Sequence, residues 1–277
     1  MKYLFVFFYL SLLLVFKGQS QNMPEKKYGW TLSAQTFTFK SFTFTEALDK
    51  TVSCGLKTIE AYVGQEIGGG IAGKIHYRMD QELQGKIKRL LKEKKIQLIA
   101  LGVVSGTTEK EWQEIFEFAS AMKISTINSE PAKKFLSLVG KLASQHKIKV
   151  GIHNHPKPTR YWHPDSVLNA IDLAKSSYVG ACADIGHWLR SGLDPVTCLK
   201  LYKGKLKSLH FKDLIPKDNK FHDVHWGTGL VNILAVTEEL KRQKFRGNIS
   251  AEYEYNWKNN VPDVTASIQN FRKLISK

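Results

Sequence analysis

The sequence predicts an α/β protein of the (β/α)8 TIM barrel class, and three observations carry the prediction. Short apolar runs alternate eight times with amphipathic stretches. No linker or shift in composition interrupts the alternation. The length, 277 residues, suits one such barrel, which takes roughly 250. Alternation of this kind implies parallel strands with a helix crossing back after each, and eight units close the sheet. An open doubly wound sheet would carry a Gly-rich phosphate turn after its first strand, and "AQTFTFKSF" has no glycine there.

The expected strands are residues 29–37, 57–62, 96–104, 124–128, 148–154, 178–184, 206–211 and 248–254. Helical patterns lie between them. "FTEALDKTVSCG" starts behind a threonine cap and ends at Gly55. "EPAKKFLSLVGKLASQH" has Pro131 near its first turn and apolar residues at 135, 138, 139 and 142. The others cover 80–95, 109–122, 164–175, 194–203, 230–243 and 262–275. "GQEIGGGIAGK" (64–74) follows the second strand and lacks the ending of a phosphate-binding loop. It is expected to be a flexible loop near the barrel mouth.

The first twenty residues are read as a secretory signal. Lys2 precedes an unbroken apolar run from Tyr3 to Phe16, and the small residues Gly18 and Ser20 follow. Such a run is shorter than the ~20 residues that span a bilayer. The expectation is cleavage after Ser20, an exported (periplasmic or secreted) protein with no membrane span, and one barrel domain over 21–277. The formal charge of +16 falls to about +14 once Lys2 and Lys17 leave. The lysines gather in stretches such as "KIKRLLKEKK" (86–95) at spacings of a helix's wet face, so no nucleic-acid partner is expected. Three cysteines at unpaired spacing argue against a disulfide framework.

Active-site groups of such barrels stand at the C-terminal ends of the strands. Here that rule selects Glu60, Glu130, His153 and His155, Asp184, His210 and Lys212, and Glu252 and Glu254. Side chains alternate along a strand, so His153 and His155 share a face, as do Ser208, His210 and Lys212. Val150, Ile152, Leu209 and Phe211 fill the opposite faces, and the polar set therefore points into the barrel. A lone buried carboxylate costs several kcal/mol. Asp184, at the end of the apolar run "VGACA", implies a cation beside it. Mixed carboxylate and imidazole ligands suit one divalent ion such as Mn²⁺, Co²⁺, Zn²⁺ or Mg²⁺. "KFHDVHWGTG" (220–229) forms a long loop at the mouth that carries His222, Asp223 and His225.

The motifs "ADIGHW", "LHFKD", "HDVHWGTG" and "AEYEYNW", in that order, resemble the xylose isomerase-like TIM barrels. That superfamily holds sugar isomerases and epimerases, inosose dehydratases and the endonuclease IV type of repair enzyme. With its expected export, the chain is similar to secreted bacterial sugar isomerase/epimerase homologues. The resemblance implies metal ligands at Asp184, His210 and Glu252, and a substrate contact at His187. The fifth strand offers His153 where the epimerases have Glu, so the fourth ligand is Glu130 or His153. His153, Glu252 and Lys212 are the expected proton carriers. Glu60, His155, His187, His225 and Glu254 are expected to bind substrate. The implied function is metal-dependent isomerisation or epimerisation of a keto-sugar, with a lyase or hydratase as the alternative. A sugar-binding protein and a DNA repair enzyme stand further off: the second and third strands lack the histidines that the repair enzyme's metal cluster needs.

Overall fold

The computed structural model describes residues 23–218 and 220–276; the expected leader lies outside them. Among the described residues, no helix is long and apolar enough to cross a membrane. Eight parallel strands form a closed barrel in sequence order. They are β1 (Trp30–Gln35), β2 (Thr58–Ala61), β3 (Gln97–Leu101), β4 (Thr126–Ser129), β5 (Lys149–His153), β6 (Val179–Asp184), β7 (Leu206–Phe211) and β8 (Gly247–Ala251). Every expected strand overlaps one of them, with β4 running one residue past its expected end and β8 starting one residue early. The register sets Asp184 beside His210 and His210 beside Ser250.

The helices are α1 (Phe44–Ser53), α2 (Gln81–Glu93), α3 (Glu109–Ala121), α4 (Leu136–His146), α5 (Pro164–Ala174), α6 (Ile185–Arg190), α7 (Pro195–Leu201), α8 (Ile233–Arg242) and α9 (Val261–Ile275). Side-chain caps explain several starts. Thr43 and Glu46 form a capping box at α1, and Asn232 caps α8 through the Ala235 amide. Five further details differ from the sequence expectation. The helix expected from 130 begins at Leu136 after a 3-10 turn, and the one expected from 230 begins at Ile233. Residues 66–74 form an antiparallel hairpin whose Ile67 is buried, and 213–217 pairs antiparallel with 220–224. The sixth unit has an extra helix, α6, because Asp184 ends β6 and at once caps the next turn: its Oδ1 accepts the His187 amide at 2.8 Å.

The outer faces of the strands pack on the helices through Val150, Ile152, Leu209 and Phe211, all fully buried. The inside of the barrel is polar where such barrels are usually filled with branched aliphatics. Ser33, Glu60, Asn128, Ser208, His210 and Ser250 are all sealed from solvent. They are joined by hydrogen bonds, among them Ser33 to Ser250 at 3.0 Å and Ser208 to Asn128 Oδ1 at 2.5 Å. Gly151 makes room for this network, since a Cβ there would lie 2.6 Å from Asn128 Oδ1.

Candidate active site

At the C-terminal end of the barrel, four successive strands deliver His153, Asp184, His210 and Glu252 to one point. One nitrogen or oxygen from each lies within 4.8 Å of the others, and all four residues are buried. Lys212, fully buried, donates to Asp184 Oδ2 at 2.7 Å and to Glu252 Oε2 at 2.6 Å. Burial opposes the charge of Asp184, and the Lys212 ammonium nevertheless holds its carboxyl well below the usual range. Glu252 is lowered in the same way, by Lys212 and His210 against burial. Lys212 is raised: burial would lower it, and the two carboxylates outweigh that.

Two ring nitrogens face this group without a hydrogen bond, His153 Nε2 and His210 Nδ1. His153 Nε2 is 3.7 Å from Asp184 Oδ2; His210 Nδ1 is 2.8 Å from Glu252 Oε2 but out of line for a hydrogen bond. Glu60, Asp184 and Glu252 bring three buried carboxylates against one buried ammonium. The shortage of positive charge is met by the rings. His153 is raised to about 9, with burial opposed by Asp184 and Glu130, and His210 is raised well above its ordinary value. Two carboxylates and two imidazoles, each ring with one unpartnered inward nitrogen, make a donor set that fits a divalent cation.

A second tier stands above the first. Glu130 Oε1 accepts from His153 Nδ1 at 3.1 Å and from His155 Nδ1. Burial would raise Glu130, but the two histidines hold it at about 2. The ring of His155 is 4.6 Å from that of His153 and 5.1 Å from that of His187, centroid to centroid. Burial and Lys212 push His187 well below its ordinary value, so it is neutral. Arg190 joins Glu254 at 2.6 Å, Asp223 at 3.2 Å and His187 Nδ1 at 3.2 Å. Burial pushes the Asp223 carboxyl up to about 7, with Lys212 and Arg190 pulling the other way.

Most of the expected residues therefore meet at this end, but three stand elsewhere than expected. Glu130 lies behind His153, so His153 and not Glu130 completes the group of four. Glu60, expected to touch substrate, is sealed beneath the group and bound to His210, Ser250 and Asn128. His225 pairs with Asp263 of α9 at 2.8 Å and is 41% exposed, outside the cluster. The sequence reading missed Asn128 and Arg190. Asn128 closes the fourth expected strand, where the strand-end rule would have found it. Arg190 lies three residues after His187, on the same helix face. Asp213, the last residue of "LHFKD", shapes the mouth: its carboxylate accepts the amides of Gly227, Gly229 and Val231 at 2.8–2.9 Å.

A family profile described as "Xylose isomerase-like TIM barrel" matches residues 48–274. The chain belongs to that family. A solved structure of a putative uncharacterized protein from Parabacteroides distasonis ATCC 8503 is 34% identical, with a TM-score of 0.73 over 88% of this chain and 99% of that one. D-allulose 3-epimerase from Methylomonas sp. superposes with a TM-score of 0.70 over 88% and 98% of the two chains. At 11% identity it speaks for the fold alone. Inosose dehydratase from Clostridium tetani (strain Massachusetts / E88) is 27% identical over 107 residues, 39% of this chain. The chain thus matches only 30% of that relative's length. The family's sugar epimerases and dehydratases share the barrel, and their reactions differ.

Proposed function

We propose that the chain is a divalent-metal-dependent isomerase or epimerase of a free or modified keto-sugar, acting through an enediolate. The convergence of His153, Asp184, His210 and Glu252 from four successive strands carries the reading. These four would hold the ion, which when bound supplies Lewis-acid polarisation of a carbonyl. The remaining work falls to the chain. Lys212 keeps its proton between Asp184 and Glu252, so it serves as their counter-ion and not as a base.

His153 was expected to carry the proton, but it is 1% exposed with its Nε2 turned to the group. His155 is better placed to do so. Its side chain is 42% exposed at the mouth, and Glu130 holds Nδ1–H, which leaves Nε2 as the accepting atom. The ionised Glu130 then faces the imidazolium as it forms, the role of the orienting carboxylate in a triad.

Incubation of the Mn²⁺-loaded protein with a panel of keto-sugars in D₂O, read by NMR, tests this. Exchange of the α-proton is expected, and His155→Gln should slow it by ~10²-fold or more with bound metal unchanged. No exchange from any sugar at full metal occupancy would sink the reading. A second reading, a dehydratase, draws on the curated relatives and on His153 standing where the epimerases carry a second carboxylate. It predicts loss of water from the exchanging sugar instead of an isomer.

A further inference from the structure

We propose that Glu60 is a positioning residue for His210, which makes the neutral ring keep its proton on Nε2 and offer Nδ1 to the Asp184–Glu252 group. Glu60 Oε1 and Oε2 lie 3.0 and 3.1 Å from His210 Nε2, in line for hydrogen bonds. A bare nitrogen there would set its lone pair against two carboxylate oxygens in a site closed to water, so the proton resides on Nε2.

Asn128 cannot take over the task. Its amide NH₂ is 2.8 Å from Glu60 Oε1 and 3.4 Å from His210 Nε2, and Ser208 fixes that orientation by donating to Oδ1. The amide is thus a donor on the side that faces the ring. Glu60 is fully engaged: Asn128, Ser250 at 2.6 Å and His210 all donate to it. No surface of it reaches the mouth, which removes it from substrate binding. The other ring nitrogen, Nδ1, is buried, has no hydrogen bond and faces Glu252. A carboxylate behind a metal-binding imidazole fixes its tautomer, and loss of such a partner typically weakens metal binding by ~10–100-fold.

The consequence for the ion rests on the proposed metal site; the tautomer does not. In ¹⁵N-histidine NMR of the Zn²⁺-loaded protein, His210 should show a protonated Nε2 and a coordinated Nδ1. Glu60→Gln keeps the size of the side chain and removes its charge. The Zn²⁺ dissociation constant should rise by ~10–100-fold while the circular dichroism spectrum of the metal-free protein persists. Ser250→Ala, which leaves the Glu60–His210 contact intact, should stay near wild type. If the wild type binds no Zn²⁺, the metal reading fails, and the tautomer is then read from the metal-free protein at a pH where the ring is neutral. A proton on Nδ1 with Nε2 bare, in either form, overturns the proposal. So does a Glu60→Gln protein that binds Zn²⁺ as tightly as wild type.

Discussion

Lys212→Met tests the balance of charge at the end of the barrel. The ammonium is fully buried and makes two charge-assisted contacts, 2.7 Å to Asp184 and 2.6 Å to Glu252. Its removal leaves two buried carboxylates without their shared counter-ion. Breaking a buried pair of this kind costs ~3–5 kcal/mol. At roughly 2–4 °C per kcal/mol for a domain of this size, Tm of the metal-free protein should fall by about 6–20 °C. The stabilisation belongs to a group whose folded value is raised. It is complete below the ordinary lysine value of about 10.4 and is lost only as pH climbs toward the folded value. A comparison at pH 7 therefore sees the whole effect. Circular dichroism in a chelating buffer, repeated with added Mn²⁺, reads it. Mn²⁺ should raise Tm further in Lys212→Met than in wild type, because the ion restores charge that the wild type already has. A loss under about 1 kcal/mol, the worth of an exposed pair, would show that the ammonium is not the counter-ion.

Other outcomes follow from the same geometry. Asp184→Asn keeps a good helix cap for α6 but removes a charged donor, so metal content by mass spectrometry should collapse while the circular dichroism spectrum persists; retained stoichiometric metal would contradict the ligand assignment. Asp223, with its carboxyl raised to about 7, binds its proton more tightly folded than unfolded, so wild-type stability should decline as pH rises from about 4 to 7. Denaturant titrations at several pH values should find that slope reduced in Asp223→Asn, and an unchanged slope would assign it to other groups. We also propose that the chain is exported and cut after Ser20. N-terminal sequencing of native protein should then begin at Gln21, and an intact Met1 would refute it.

The barrel was legible because each of its strands is an apolar run long enough to stand apart from the helices around it. The strand-end rule found Asp184, His210, Lys212 and Glu252 for the same reason: each follows such a run. It could not give depth. Glu60 sits within the four-residue strand β2 and reaches inward to His210 of β7, a contact set by closure of the barrel across 150 residues. The choice between Glu130 and His153 was equally hidden, since it depends on which side of one imidazole a carboxylate takes. The hairpin at 66–74 escaped because "GGGIAGK" has no alternation to read. α6 escaped because six residues are too few to show a helical period.

The hydrogen-bonded lining of the barrel sets how its parts can be exchanged. A branched aliphatic core gives way locally when one side chain shrinks. Here Asn128 serves Glu60 and Ser208 at once, so replacing it with a hydrocarbon strands several buried groups together, each at ~1–3 kcal/mol. Single replacements in that layer are therefore penalised as a block. Arg190 and Glu254, partly open to water above it, form a separate group with Asp223 and His187. New substrates can be accommodated in the upper tier while the layer beneath stays fixed.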